Sequence, residues 1–188
     1  MMKPKALRTK NKIIEVAFEL MQQQGYEGTT VEEIIKYANI SVGTFYHYFK
    51  SKADILHEGY KTLDKYFEEY VADRLLAEST PIEKIVTFFH HYALHTASVG
   101  VENVRSIYSM NNPMFTKRRQ MEIILEDIIK AGQEKGELTT DETPEEIRRF
   151  FFVLIRGLVN DWCIHNGDYD LEKEVDKFVK IQIRAFRP

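Results

Sequence analysis

The segment from Ser41 to Lys52 contains no acid, and it concentrates side chains that donate hydrogen bonds to anions: Thr44, Tyr46, His47, Tyr48 and Lys52. Phenols such as Tyr46 and Tyr48 suit phosphate oxygens, contacts that set register without reading sequence. Thr44 adds a methyl group suited to a thymine methyl, and His47 can reach a phosphate or a base edge. Gly43 has no side chain, so the backbone there can approach a phosphate or base closely. Lys52 falls in the expected first turn of a helix, where its charge opposes the dipole preference, and an external anion is a reasonable explanation for it. Thr29 and Thr30, with the amides of the helix that follows, form a second expected phosphate clamp.

Short helices must hold these groups. Thr30-Val31-Glu32-Glu33 reads as a capping box opening a helix to Tyr37 or Ala38. A tight connection through Asn39-Ile40 leads to a second helix capped by Ser41. Ile34, Ile35, Ala38, Ile40, Val42, Phe45 and Phe49 are the expected inner face. Upstream, Ile13, Ile14, Ala17, Phe18 and Met21 form one helical stripe, which Gly25 is expected to close. Ser51 opens a long amphipathic stretch to about Glu78. Thr80-Pro81, Asn112-Pro113 and Thr143-Pro144 each place a cap before a first-turn proline, and Asp168 or Asp170 starts the last helix. The expected fold is all-α with about nine helices: a three-helix unit over 1–52 joined to a larger helical body over 53–188.

The chain has 188 residues, 44% apolar and 29% charged, which excludes a disordered or collagenous chain. The single cysteine, Cys163, excludes a disulfide framework and any Cys-x-x-Cys site. The net charge of −3 is uneven. Residues 1–52 carry eight Lys/Arg and five Asp/Glu, while 53–188 carry eighteen and twenty-four, so a basic head sits on an acidic body. No Gly-x-Gly-x-x-Gly, phosphate-binding loop or Gly-x-Ser-x-Gly elbow occurs, so no enzyme activity and no cofactor are expected. His90, His91 and His95 lack the Glu-x-x-His pattern of a helical metal site, and no metal is expected. With no signal-like or spanning segment, the protein is expected in the cytosol, without a membrane partner.

The string Gly25-Tyr26-Glu27-Gly28-Thr29-Thr30-Val31-x-x-Ile34, followed by Ala38-Asn39-Ile40-Ser41-Val42-Gly43-Thr44-Phe45-Tyr46-His47-Tyr48-Phe49-Lys50-Ser51-Lys52, resembles the TetR/AcrR family of bacterial transcriptional regulators. The resemblance covers about residues 8–60. It implies contacts to a double-stranded operator near Thr30, Val42, Gly43, Thr44, Tyr46, His47 and Lys52. Val42 departs from the pattern, since many members carry Lys or Arg there. The resemblance further implies a homodimeric repressor whose recognition helices, about Val42 to Tyr48, enter successive major grooves of a pseudo-palindrome. A small-molecule effector in the body would move the helix that starts at Ser51.

In such a family the last two helices dimerise and the helices between hold the effector. The helix from Glu145 to His165 is apolar nearly all round, which suggests burial on two sides. Phe151, Leu154, Leu158 and Trp162, with Val175, Phe178 and Val179 of the last helix, are the expected dimer face. The expected effector residues are Phe88, Tyr92, His95, Tyr108, Met114, Met121, Leu125, Phe152, Ile155 and Asn160, with Phe89, Met110, Phe115 and Ile124 nearby. Aromatics and methionines suit a largely apolar ligand. Arg156, Asn160 and Asp161 interrupt that apolar helix, either as ion pairs or as a polar anchor for the effector. The rival reading is a carrier of apolar small molecules with no operator.

Overall fold

The computed structural model describes residues 4–109 and 118–188. Among the described residues there are ten α-helices and no strand. They are α1 (Pro4–Gly28), α2 (Val31–Ala38), α3 (Val42–Tyr48), α4 (Lys52–Tyr66), α5 (Ala72–Ala77), α6 (Pro81–Val99), α7 (Val101–Ser109), α8 (Gln120–Glu134), α9 (Pro144–Ile164) and α10 (Leu171–Ala185). The count exceeds the expected nine because a π-helical stretch, Phe67–Val71, divides the long segment after Lys52 into α4 and α5. The Asn112-Pro113 start lies outside the described residues.

The chain packs as two units, Met1–Thr62 with Val99–Met114, and Leu63–Ser98 with Phe115–Pro188. The expected boundary after residue 52 thus lies ahead of the packing division, which falls within α4. In the first unit, Ile13, Ala17 and Met21 of α1 are buried with Ile34 and Ala38 of α2, Phe45 of α3, and Ile55 and Leu56 of α4. α7 belongs to this unit because Asn103 Nδ2 donates to the Phe18 carbonyl of α1 at 3.2 Å. Gly100 leads into α7 at φ +85, and a Cβ there would also sit 2.9 Å from Gln22 Nε2. The regular helix of α1 closes at Gly25 as expected, with a non-helical φ of 77 and ψ of 164, and a separate helical turn runs on to Gly28.

In the second unit the core is aromatic. Phe67, Phe88, Phe89, Phe151 and Phe152 are all buried, with Phe67 and Phe88 centroids 4.5 Å apart and Phe89 stacked on Phe151 at 5.4 Å. Each such ring contributes about 1.5–3 kcal/mol on burial. Two of the expected caps form here. Thr143 and Glu146 close a capping box before Pro144, and Asp170, rather than Asp168, caps α10 by accepting from the Lys173 amide at 3.1 Å.

Candidate functional site

α3 is short and anchored from below. Ser41 caps it, accepting from the Thr44 amide at 3.1 Å, while Phe45 and Phe49, one turn apart, are buried. With that turn filled, the rest of the helix faces outward. Tyr46 is 55% exposed, Gly43 and His47 are exposed, and Thr44 and Tyr48 are half-buried. Val42, expected on the inner face, is 59% exposed. It occupies the first position of the helix, a turn short of the core that Phe45 and Phe49 reach. This exposure leaves it on the same outward surface as Gly43 and Tyr46. Ile35 and Ile40 are half-buried.

The expected clamp at Thr29 and Thr30 needs correction. Thr29 is fully buried, and its hydroxyl donates to the Gly25 carbonyl at 2.8 Å, restraining the break in α1. It presents nothing to a phosphate. Thr30 is exposed but serves its own helix: its hydroxyl and amide donate to Glu33 Oε2 at 2.9 Å each, and its Oγ1 accepts from the Glu33 amide. Those bonds, the backbone one first, hold the Glu33 carboxyl below the usual carboxylate range.

Lys52 also has an internal role. Its Nζ donates to the carbonyls of Tyr26 at 2.5 Å and Thr29 at 3.0 Å, and stands 4.2 Å from the Tyr26 ring centroid. The cation satisfies carbonyls freed where α1 ends, so an external anion is not needed to account for a lysine at this helix start. Lys36 and Tyr37 of α2 lie outside the sequence-predicted set. Both are exposed, Tyr37 at 61%, and lie off the Ile34–Ala38 stripe that a helical projection defines.

In the second unit, Phe88, Tyr92, Met121, Leu125, Phe152 and Ile155 are all buried, and Phe152 stands edge-on to Phe88, Phe89 and Tyr92. Asn160 does not join them: it is exposed on α9, because the helix turns its 151–155–159–162 arc inward. Tyr108 belongs to the first unit. Met114, like Met110 and Phe115, lies outside the described residues.

His95 is half-buried and joins a polar cluster that sequence reasoning left out, apart from His91. Its ring lies 5.3 Å from that of Tyr66, whose hydroxyl is 2.8 Å from His91 Nδ1, and Tyr66 stacks on Tyr70 at the π-helical stretch. Burial pushes both His91 and His95 below the ordinary histidine range, with smaller contributions from His90 and Arg119 respectively. Arg119, itself buried, pairs with Asp64 at 3.1 Å. Arg156 is an ion-pair member: it meets Glu122 at 3.0 Å, and Glu122 also holds Arg148 at 2.8 Å. Asp161 accepts from the Tyr169 hydroxyl. Among the described residues, no group of three His, Cys, Asp or Glu is placed to hold a metal, and no helix is long and apolar enough to cross a membrane.

The expected dimer face divides in two. Phe151, Trp162, Val175 and Val179 are buried in their own chain's core and are not available to a partner. Leu154 and Phe178 are exposed, and Leu158 is half-buried. The outward apolar stripe is completed by Phe150, Val153 and Ile164 of α9 and Ile181 of α10, none of which belongs to the sequence-predicted face. Because α9 is apolar nearly all round, periodicity does not decide which of its apolar arcs faces inward.

Residues 13–58 match the family model described as bacterial regulatory proteins, tetR family, and residues 118–185 match that of the YsiA-like protein, C-terminal region. The chain is 31% identical over 153 residues to the probable HTH-type transcriptional regulator YttP of Bacillus subtilis, covering 74% of this chain and 72% of that one. It is 27% identical over 166 residues to the fatty acid metabolism regulator protein of the same organism, covering 85% and 86%. Among solved structures, the Thermus thermophilus FadR repressor in complex with lauroyl-CoA is similar at 26% identity and TM-score 0.69, with 93% of each chain covered. An outward, acid-free recognition helix on a buried Phe45–Phe49 anchor, within a chain that aligns along most of its length with these regulators, makes this a DNA-binding transcriptional regulator of the tetR family.

Proposed function

We propose that the chain is a homodimeric repressor of a pseudo-palindromic operator, released when an acyl-CoA thioester binds its C-terminal unit. The observation that carries the operator reading is the exposed surface of Val42, Gly43, Tyr46 and His47 on α3, free of carboxylates and backed by a rigid anchor. The apolar stripe of Phe150, Val153, Leu154, Ile164, Phe178 and Ile181 supports pairing of two chains, which would give two such helices for two half-sites. The acyl-CoA reading is supported by the likeness to the fatty acid metabolism regulator and to the lauroyl-CoA-bound repressor. For release, the thioester must bind the low-affinity conformer better than the DNA-bound one, and by linkage DNA weakens the thioester equally. The test is fluorescence anisotropy with duplexes from the promoter of the chain's own gene, with and without lauroyl-CoA. A rise in anisotropy that the thioester reverses is the expected result. A protein that binds lauroyl-CoA but no duplex at low salt would be a carrier instead.

A further inference from the structure

The second unit is acidic overall, yet α10 and the residues just after it place Lys173, Lys177, Lys180, Arg184 and Arg187 at spacings of four, three, four and three residues, which is one helical face. All five are exposed. Lys173 pairs with Asp170 at 2.8 Å and Lys177 with Glu174 at 3.1 Å. Among the described residues, no carboxylate lies within ion-pair distance of Lys180, Arg184 or Arg187, and no acid occurs from Phe178 to Pro188. These three cations line a recess of about 740 Å³ between α10 and the first half of α6, with Ile82, Val86 and Ile183 as apolar lining. Lys180 and Arg184 also line a second recess of about 530 Å³ along α10.

The acids around the two recesses are already engaged. Glu83 accepts from the Thr80 amide and hydroxyl at 2.9 and 3.0 Å, and Glu78 accepts from the Thr87 hydroxyl at 2.8 Å. Asp176 faces His90 at 3.3 Å. The helix dipole favours cations at the end of α10. It does not account for three of them around a hollow with apolar walls. Unpartnered guanidinium and ammonium groups can meet phosphate without first breaking an ion pair, and guanidinium does so with two parallel bonds. The recess falls in the range of about 300–1,000 Å³ that small-molecule sites occupy.

We propose that this α6–α10 groove holds the phosphorylated nucleotide of the acyl-CoA effector. Its phosphates lie on Lys180, Arg184 and Arg187, and its adenine lies against Ile82, Val86 and Ile183. The proposal rests on the acyl-CoA reading above. A free nucleotide shares the same phosphate chemistry, so the test separates the two.

Isothermal titration of the full chain and of K180E/R184E is made with lauroyl-CoA, S-lauroyl-pantetheine and adenosine 3′,5′-bisphosphate. Circular dichroism and operator binding serve as folding controls. The expected result is that charge reversal weakens lauroyl-CoA at least tenfold, abolishes bisphosphate binding and changes S-lauroyl-pantetheine less than twofold. Equal lauroyl-CoA affinity in the two proteins would overturn the groove assignment while leaving the effector reading intact. A wild-type chain that binds the bisphosphate through Lys180 and Arg184 but no thioester would keep a nucleotide groove and overturn the effector reading. Failure of the wild type to bind any of the three would overturn both.

Discussion

The ammonium of Lys52, at the start of α4, is held by the carbonyl of Tyr26 at 2.5 Å and lies over the ring of the same residue. It ties the end of α1 to the helix that follows α3, and so fixes the frame in which α3 is presented. Lys52→Met is expected to destabilise the chain by about 1.5–3 kcal/mol, the usual worth of a hydrogen bond to a charged group. Thermal denaturation measures this. The salt dependence of operator binding distinguishes the roles: loss of a phosphate contact would reduce the slope of log affinity against log salt by roughly one, whereas loss of an internal tie leaves it unchanged.

Tyr46 is more than half exposed and carries no core packing that its removal would disturb beyond its edge contact with Phe45. Tyr46→Ala is expected to weaken operator binding roughly tenfold, about 1.4 kcal/mol, with the melting temperature little changed. Unaltered affinity in a gel-shift titration at fixed salt would remove Tyr46 from the interface.

Phe178 and Val175 stand one turn apart on α10 and differ in burial, Phe178 37% exposed and Val175 fully buried. Phe178→Asp is expected to give a folded monomer by sedimentation, with loss of tight operator binding. Val175→Asp buries an unpaired carboxylate and is expected to prevent folding altogether. A persisting Phe178→Asp dimer would move the interface off the α9–α10 stripe.

Glu122 is buried and bridges Arg148 and Arg156. Glu122→Ala leaves two partly buried guanidinium groups with less compensation and is expected to cost about 3–5 kcal/mol in denaturant unfolding. Arg156 also lies over the Phe152 ring at 4.8 Å. Arg156→Met, which keeps that packing, should therefore cost less than Glu122→Ala.

His91 and His95 both titrate below their unfolded value of 6.5 in the folded chain because burial disfavours their charged form. Above pH 6.5 both states are neutral and no penalty arises. Below it the unfolded chain takes up protons that the folded chain resists, so stability falls as pH drops from 6.5 toward the folded values. A His91→Gln/His95→Gln variant should show a shallower loss of stability than the wild type between pH 6.5 and 5.5, measured by urea unfolding.

The all-α fold and the helix-turn-helix were legible in the residues. Thr30 with Glu33, Thr143 with Glu146 and the Phe45–Phe49 spacing are local features, and local hydrogen bonds and helical periodicity fix them without reference to the rest of the chain. The long-range choices were not legible. That Lys52 would turn to the Tyr26 and Thr29 carbonyls depends on a break at Gly25, more than twenty residues away in sequence. That α9 would bury Phe151 and Trp162 and expose Phe150 and Val153 depends on where α6, α8 and α10 lie, because a helix apolar nearly all round offers more than one arc to the core. Sequence alone determines what a residue can do within a turn or two of helix; only the packed chain decides which partner from elsewhere it meets.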